Sequence, residues 1–211
     1  MTEPRLHGYF RSTASYRVRV ALNLKGVSYA NEFHHLRKGE HRAAGYLALN
    51  PQGLLPTLEI DGDALTQSLA ICDYLEETYP HPALLPADPV GRAKVRAFAQ
   101  VIACETHPLQ NLGTLARLRA LGLGEAQVER WAAEIIEEGL AVCDRLIAGR
   151  SGRYCYGDDV SLADIFLVPQ LVNARRFGVR LCWPRLLEIE QACLALDEFA
   201  RAAPENQPDR E

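Results

Sequence analysis

The sequence predicts two domains of different class, a small α/β domain over residues 1–81 and an all-helical domain over residues 89–211. In the first eighty residues, short segments rich in β-forming residues alternate with segments of helical periodicity. Residues 82–88 lie in the proline-rich stretch HPALLPADP, which is typical of a linker. Beyond this stretch, long helical patterns follow one another with almost no strand signal. These observations predict a mixed domain joined to a helical one.

The α/β domain is predicted to have the element order β-α-β-α-β-β-α. The elements are a strand at LHGYF, a helix over residues 15–25 ending at Gly26, a strand within VSYANEFHHL, a short helix over 40–49, strands at PTLEI and ALTQ, and a helix over 68–79. Asn50-Pro51 and Pro80 are stop signals for the second and third helices. The turn residues 61–63, Asp-Gly-Asp, separate two short strands and therefore predict a β-hairpin.

The second domain is predicted to consist of helices over residues 89–120, 124–149, 161–177 and 184–202. Pro108 is expected to kink the first of them. Ser161 and Asp164 precede an apolar run as a variant of the capping box, so we interpret this acidic segment as a helix start and not as a catalytic site. The last eight residues, PENQPDRE, are polar and are expected to be frayed.

The composition is that of an ordinary globular protein, with 48% apolar and 24% charged residues among 211. A net charge of −4 without a basic stripe argues against nucleic-acid binding. The chain starts without the apolar region of a signal peptide and has no apolar run long enough for a membrane span, so we expect a cytoplasmic protein. Its six cysteines have neither CxxC nor metal-ligand spacing and are expected to be reduced and structural, and no metal site is predicted.

The segment RSTASYRVRVALNLKG, residues 11–26, places three hydroxyl side chains, Ser12, Thr13 and Ser15, at the start of a predicted helix. Hydroxyl and backbone N–H donors, together with the helix dipole, stabilise a thiolate relative to a thiol. The segment contains no cysteine, histidine or carboxylate, so the thiol would have to come from a bound molecule. The alternative interpretation is that the hydroxyls only cap the helix.

A second segment, NPQGLLPTLEIDGDALTQSLAI over residues 50–71, combines two features that suit a small peptide ligand. Pro56 directly precedes a predicted strand, and a cis Leu55–Pro56 bond would leave the Leu55 backbone N–H and C=O available to an extended peptide. Gln67 and Ser68 begin a helix whose free N–H groups favour a carboxylate. The alternative is that Pro56 serves only a turn and Ser68 only a helix cap.

These segments resemble zeta-class glutathione transferases, the group that includes maleylacetoacetate and maleylpyruvate isomerases. The resemblance covers about residues 5–200 and is carried by the two segments above and by FLVPQLVNARRFGV, PALLPADPVGRAKVRA and HPLQNL. It implies a thioredoxin-like N-terminal domain, an all-α C-terminal domain, a homodimer, and glutathione as the missing thiol.

The resemblance also implies roles for individual residues of this sequence. Ser12 would be the hydroxyl nearest the sulfur, within the group Ser12, Thr13 and Ser15. The implied glutathione-binding residues are Gln67 and Ser68 for the γ-glutamyl group, Leu55 with the adjacent Pro56 for the cysteinyl backbone, His41 and Gln52 for other parts of the tripeptide, and His107 and Asn111 at the cleft facing the thiol. His107 and Asn111 are four residues apart and are expected to share a helix face; a solvated polar face is the alternative.

The sequence departs from the family pattern at two positions. Ala14 stands where one version of the family motif has a cysteine, and Leu112 where one type of member has an arginine. Arg11 and Arg176 are then the candidates for binding substrate carboxylates, with the neighbouring Arg175 as another possibility. Arg17 and Arg19 are interpreted as surface or ion-pair residues.

The activity that this resemblance implies is glutathione-dependent cis–trans isomerisation of an unsaturated keto-dicarboxylate such as maleylacetoacetate or maleylpyruvate. A general conjugating transferase and a glutathione-binding protein without turnover are the alternatives. The first alternative would consume glutathione, whereas an isomerase would regenerate it.

Overall fold

The computed structural model describes residues 3–211, which form two compact units. The first comprises the chain up to Ala83 together with Ala195–Glu211, and the second comprises Leu84–Leu194. The first break falls within the predicted linker. The second was not predicted, since we assigned residues 195–211 to the helical domain.

The first unit is built on a four-stranded mixed sheet. Its elements are β1 (Arg5–Gly8), α1 (Thr13–Leu24), β2 (Ala30–Phe33), α2 (Ala44–Leu49), β3 (Thr57–Ile60), β4 (Asp63–Thr66) and α3 (Ser68–Thr78), followed near the end of the chain by α9 (Asp197–Ala202). The strand order is β2-β1-β3-β4, with β1 and β2 parallel and the other pairs antiparallel. This is the predicted element order and the thioredoxin-like topology, and the hairpin of β3 and β4 is confirmed.

Helix α1 is buried along most of its length because it packs against both α3 and α9. Val18 and Leu22 on α1, like Ile71 and Leu75 on α3, are completely inaccessible to solvent. The same packing buries polar side chains of α1, and Arg17 and Arg19 are only 1% and 2% exposed. The surface part of our surface-or-ion-pair interpretation of these two arginines is therefore wrong.

The residues after α9 belong to the first unit and form hydrogen bonds with its other residues. A 3₁₀ turn, Pro204–Asn206, follows α9. The side chain of Gln207 is buried and its Nε2 donates to the carbonyl oxygens of Arg201 (2.8 Å) and Ala203 (3.0 Å). Asp209 accepts a hydrogen bond from the backbone N–H of Phe10. The prediction of a frayed segment is wrong, because its polar side chains find backbone partners that its local sequence does not reveal.

The second unit is entirely helical in its regular elements. These are α4 (Pro89–Gln100), α5 (Leu112–Ala120), α6 (Glu125–Leu146), α7 (Leu162–Arg176) and α8 (Pro184–Leu194). A π-helical turn, Val101–Thr106, and a 3₁₀ turn, His107–Gln110, separate α4 from α5. The long helix predicted over residues 89–120 is thus interrupted around Pro108, more completely than the expected kink.

The capping box at the start of α7 is confirmed. Asp164 is fully buried, and its carboxylate accepts hydrogen bonds from the backbone N–H of Ser161 (2.8 Å), the Ser161 hydroxyl (2.7 Å) and the backbone N–H of Cys155 (2.8 Å). Burial raises the pKa of Asp164, while these hydrogen bonds act in the opposite direction. The carboxylate thus satisfies two backbone N–H groups and the Ser161 hydroxyl, as expected for a structural group.

The six cysteines are free thiols, four of them buried and two, Cys104 and Cys182, exposed. In the part of the chain that the structure covers, no helix is both long and apolar enough to cross a membrane.

Candidate active site

The hydroxyl residues at the start of α1 differ in accessibility. Ser12 is half-buried and is the N-cap, its Oγ accepting a hydrogen bond of 3.1 Å from the backbone N–H of Ser15. This bond uses a lone pair of Ser12, so its hydroxyl hydrogen can still be donated to an anion. The Ser15 side chain is completely buried and lies against Gly8 of β1, and Thr13 is also buried. Ser12 is therefore the side chain of the three best placed to meet a ligand, whereas Ser15 acts on the cap through its backbone.

The peptide bond between Leu55 and Pro56 is cis. Leu55 is half-buried and lies between the exposed residue Leu54 and the first residue of β3, Thr57. Within the described residues, the N–H and C=O groups of Leu55 make no hydrogen bond. They are therefore available to a peptide ligand in the way that the sequence predicts.

The segment around Leu55 is held by two buried side chains, Tyr46 on α2 and Asn50 after it. The Tyr46 hydroxyl and the Asn50 side-chain amide both donate to the carbonyl oxygen of Leu54, at 2.5 and 2.8 Å. The same two groups contact Oγ1 of Thr57, at 2.8 and 3.1 Å. Sequence reasoning missed this clamp, since we interpreted Asn50 only as part of a helix stop.

Gln67 and Ser68 occupy the start of α3. Gln67 has φ 67° and ψ 116°, a left-handed backbone conformation that is unfavourable for a residue with a side chain. Its side-chain amide donates to Oε1 of Gln52 at 2.8 Å, so two of the predicted glutathione-binding residues are in direct contact. Ser68 is buried as the first residue of α3, and its Oγ accepts a hydrogen bond of 3.3 Å from Nη1 of Arg17.

His41 lies in a 3₁₀ turn, Glu40–Arg42, which contacts the segment that carries Gln52. Nη1 of Arg42 donates to the carbonyl of Gln52 at 3.3 Å. Gly53, at φ 58°, approaches this turn so closely that an added Cβ would lie 3.0 Å from the His41 carbonyl oxygen. Burial, and to a lesser extent the charge of Arg42, lowers the pKa of His41, which favours a neutral imidazole at neutral pH. Its Nδ1 is buried without a hydrogen-bond partner.

A protein thiol is not available in this unit. Cys72 is the only cysteine in residues 1–83 and 195–211. Its side chain is fully buried, and burial raises its pKa to about 12. It is therefore neither accessible nor ionised at neutral pH, and the first unit supplies no thiol of its own for chemistry at this site.

Arg11, directly before Ser12 in the first unit, is half-buried. The other predicted residues lie in the second unit. His107 begins the 3₁₀ turn, whereas Asn111 has an extended backbone (ψ 154°) and caps α5, its Oδ1 accepting from the N–H of Leu112 at 2.7 Å. The expectation that His107 and Asn111 share one helix face is wrong, because the helix is broken between them. The neighbouring Gln110 is buried and accepts a hydrogen bond of 2.7 Å from Asn173 on α7.

The two arginines at the end of α7 differ in their partners. Arg175 forms a bidentate ion pair with the buried Glu190 on α8, with both N–O distances at 2.5 Å. Removing Arg175 from this pair would leave a carboxylate buried and unpaired. Arg176 is half-buried on the same helix. Arg175 is therefore committed to Glu190 and is poorly suited to bind a ligand.

Comparison with known proteins connects this arrangement to a family. The glutathione S-transferase N-terminal domain model matches residues 6–83, and the C-terminal domain model matches residues 124–193. Maleylacetoacetate isomerase of Pseudomonas aeruginosa is 48% identical over 209 residues, which cover 97% of this chain and 98% of that protein. A holo structure of maleyl pyruvate isomerase, described as a bacterial zeta-class glutathione S-transferase, has 45% identity and a TM-score of 0.95 over 98% of this chain and 100% of that one. The chain belongs to the zeta class of glutathione transferases.

A second solved structure shows a relative with glutathione bound. Maleylacetoacetate isomerase from Anaeromyxobacter dehalogenans 2CP-1, with glutathione bound in the active site, has 43% identity and a TM-score of 0.89 over 99% of this chain and 98% of that one. The family and the fold class predicted from the sequence are confirmed by these comparisons.

The residues of this zeta-class transferase fit glutathione as its thiol ligand. The free backbone groups of Leu55 suit the extended cysteinyl part of a tripeptide. The start of α3 presents N–H groups beside Gln67 and Ser68 for a carboxylate. The unpartnered Nδ1 of His41 and the amides of Gln52 and Gln67 add polar groups around the same segment. Since Cys72 is inaccessible, a ligand thiol complements what the first unit lacks.

Proposed function

We propose that this protein is a glutathione-dependent cis–trans isomerase of a maleyl keto acid, converting maleylacetoacetate to fumarylacetoacetate or maleylpyruvate to fumarylpyruvate. The observation that carries the proposal is the start of α1, where Ser12 caps a helix in a unit that has no accessible thiol of its own. The isomerase names of relatives that align over nearly the whole chain support the choice of reaction.

The chemistry requires a nucleophile because rotation about a C=C bond is prohibitively slow. Bound glutathione would supply a thiolate that adds to the conjugated double bond, and the displaced electron pair would be held on the substrate as an enolate. After rotation about the new single bond, the enolate electrons would re-form the double bond in the trans geometry as the C–S bond breaks and the thiolate is released. The protein's own contribution is electrostatic: Ser12 and the N-terminal N–H groups of α1 stabilise a sulfur anion. A free thiol with a pKa of about 8.5 is only a few per cent ionised at neutral pH, and lowering that pKa by about two units makes the thiolate the main form.

Substrate carboxylates are assigned to arginine side chains. Arg11 directly precedes Ser12, and Arg176 lies at the end of α7. Guanidinium groups bind carboxylates in bidentate geometry and also stabilise negative charge that develops on the substrate. Arg175 is less suited to this role because it neutralises the buried Glu190.

The remaining assignments follow the family resemblance. We assign the γ-glutamyl group of glutathione to Gln67 and Ser68, its cysteinyl backbone to Leu55 and Pro56, and other contacts to His41, Gln52, His107 and Asn111. The direct contact between Gln52 and Gln67 supports a shared role for these two side chains. Ala14 and Leu112 differ from the residues that some family members have at these positions. We expect these differences to affect the choice of keto acid more than the isomerase chemistry.

The deciding experiment is incubation of the purified protein with maleylacetoacetate or maleylpyruvate, with and without glutathione. The isomerase proposal predicts the fumaryl product only in the presence of glutathione and no net loss of the free thiol. Consumption of glutathione with formation of a thioether would instead support a general conjugating transferase. Binding of glutathione with neither outcome would support a non-catalytic binding protein.

Two further properties belong to this proposal. The family resemblance implies a homodimer, which sedimentation of the purified protein would test. A cytoplasmic location is supported by six cysteines that are all free thiols, since reducing compartments keep thiols unpaired.

A further inference from the structure

The residues just before Ser12 are fixed by the buried side chain of Arg19. Its Nη1 and Nη2 donate to the carbonyl oxygens of Tyr9 (3.5 Å) and Phe10 (3.3 Å). Its Nε donates to the carbonyl oxygen of Ala202 at 2.9 Å, at the end of α9. The Tyr9 carbonyl also accepts the backbone N–H of Ser12 at 3.0 Å. One guanidinium group therefore joins the approach to Ser12 to the C-terminal segment, residues 195–211.

The C-terminal segment contacts the same peptide a second time. The backbone N–H of Phe10 donates to Oδ2 of Asp209 at 2.9 Å. Phe10 is thus held by its N–H through Asp209 and by its carbonyl through Arg19. The side chain of Gln207 fixes the path of the chain leading to Asp209 through its hydrogen bonds to Arg201 and Ala203.

The charged groups of Arg19 and Asp209 both meet suitable hydrogen-bond partners in this arrangement. The buried guanidinium of Arg19 is surrounded by carbonyl oxygens of Tyr9, Phe10 and Ala202, which are suitable acceptors for a buried cation. Asp209 supplies a charged acceptor, which makes a stronger hydrogen bond with an N–H group than a neutral acceptor does. Glu211 contacts the ring of His35, which in turn packs against Tyr9 at a ring-centroid distance of 5.0 Å.

We propose that Asp209 and Arg19 are positioning residues for the reaction: the C-terminal segment holds the Tyr9–Phe10 peptide in place and thereby sets the position of Arg11 and Ser12. This inference rests on the proposed function of Ser12. It gives Asp209, which is far from Ser12 in the sequence, and the buried Arg19 a role in turnover without contact with the substrate. The hydrogen bonds of Asp209 and Gln207 also account for the order of this polar segment, whose composition is typical of a frayed terminus.

The test compares Asp209→Ala with Glu205→Ala, which removes an exposed carboxylate of the same segment. Asp209→Asn adds a variant that keeps an acceptor oxygen but loses the charge. In the ligand-free protein, we expect the Phe10 amide hydrogen of Asp209→Ala to exchange about tenfold faster or more, because its hydrogen bond is lost. Glu205→Ala should leave this rate unchanged, and Asp209→Asn should be intermediate.

The second readout uses the protein with bound glutathione. If the position of Ser12 is disturbed, Asp209→Ala should raise the pKa of the bound thiol, measured from thiolate absorbance, and lower kcat about fivefold or more. The KM for glutathione should change far less than kcat, because the Leu55 and Gln67 segments are untouched.

The possible results separate the two proposals. Unchanged Phe10 exchange in Asp209→Ala would overturn the inference, and so would faster exchange with an unaltered thiol pKa and kcat. Absence of turnover in the wild-type protein would count against the proposed function and leave the exchange result to decide whether the C-terminal segment holds the Tyr9–Phe10 peptide.

Discussion

At the scale of single residues, the position of Ser12 suits two roles, the observed helix cap and the proposed contact with a ligand thiolate. As an N-cap it satisfies the backbone N–H of Ser15, which accounts for a hydroxyl residue at this position without any chemistry. Its hydroxyl hydrogen and half-buried position also suit stabilisation of a ligand thiolate. The two roles differ in what a substitution changes, since a cap affects stability and a thiolate contact affects turnover.

Ser12→Ala is expected to lower kcat by about 100-fold while weakening glutathione binding far less, because the lost donor acts on the charged sulfur. Loss of the cap should cost about 1 kcal/mol of stability. Steady-state kinetics and calorimetry with glutathione measure the two effects. Ser12→Thr, which retains a hydroxyl, is the control and should keep most of the activity. Similar losses of kcat and of glutathione affinity would contradict the thiolate role.

At the scale of elements, the start of α7 depends on a single buried carboxylate. Asp164 satisfies the N–H groups of Ser161 and Cys155, so it stabilises both the helix start and the loop that precedes it. Tyr46 and Asn50 act in a similar way in the first unit. Their side chains donate hydrogen bonds to the carbonyl oxygen of Leu54 and so fix the backbone that leads into β3.

Asp164→Ala is expected to lower the free energy of unfolding by about 3 kcal/mol or more, since each buried N–H group left unsatisfied costs about 1–3 kcal/mol. Denaturant unfolding monitored by circular dichroism measures the change. Asp159→Ala, which removes an exposed carboxylate of the same segment, should change stability by less than about 0.5 kcal/mol. Retained stability together with lost turnover in Asp164→Ala would contradict a purely structural role.

At the scale of the whole molecule, a chain of side-chain contacts in the first unit links β1 and β3 with His34, the residue directly after β2. Nδ1 of the buried His7 is 2.9 Å from Nε2 of His34, and its Nε2 is 2.7 Å from Oε1 of Glu59. The His34 ring also packs against Tyr46, at a ring-centroid distance of 4.5 Å. Burial and then the charge of His7 lower the pKa of His34, whereas Glu32 and Glu40 oppose this effect and His41 adds to it.

Because the pKa of His34 is lower in the folded state, the unfolded chain binds more protons, and acid favours unfolding. The free energy of unfolding should therefore fall as the pH drops below the unfolded histidine pKa of about 6.5. Urea unfolding between pH 8 and pH 5.5 measures this slope. His34→Gln should have a shallower slope than the wild type. Equal slopes for wild type and His34→Gln would contradict this prediction.

The local sequence determined the order of the elements, the β3–β4 hairpin, the capping box of Asp164 and the donor-rich start of α1. Each of these depends on residues a few positions apart, whose spacing fixes hydrogen bonds and faces within one element. The absence of a cysteine from residues 11–26 likewise predicts that a thiol acting there comes from a bound molecule.

Only the tertiary structure decided the placement of Arg19, the order of residues 204–211 and the separation of His107 from Asn111. An arginine on a helix has the same local pattern whether it meets water or backbone carbonyls, and the carbonyl of Ala202 lies far away in the sequence. The broken helix around Pro108 likewise depends on packing, since Gln110 is held by Asn173 on another helix. Burial and long-range hydrogen bonding, which no short window of sequence contains, fixed these features.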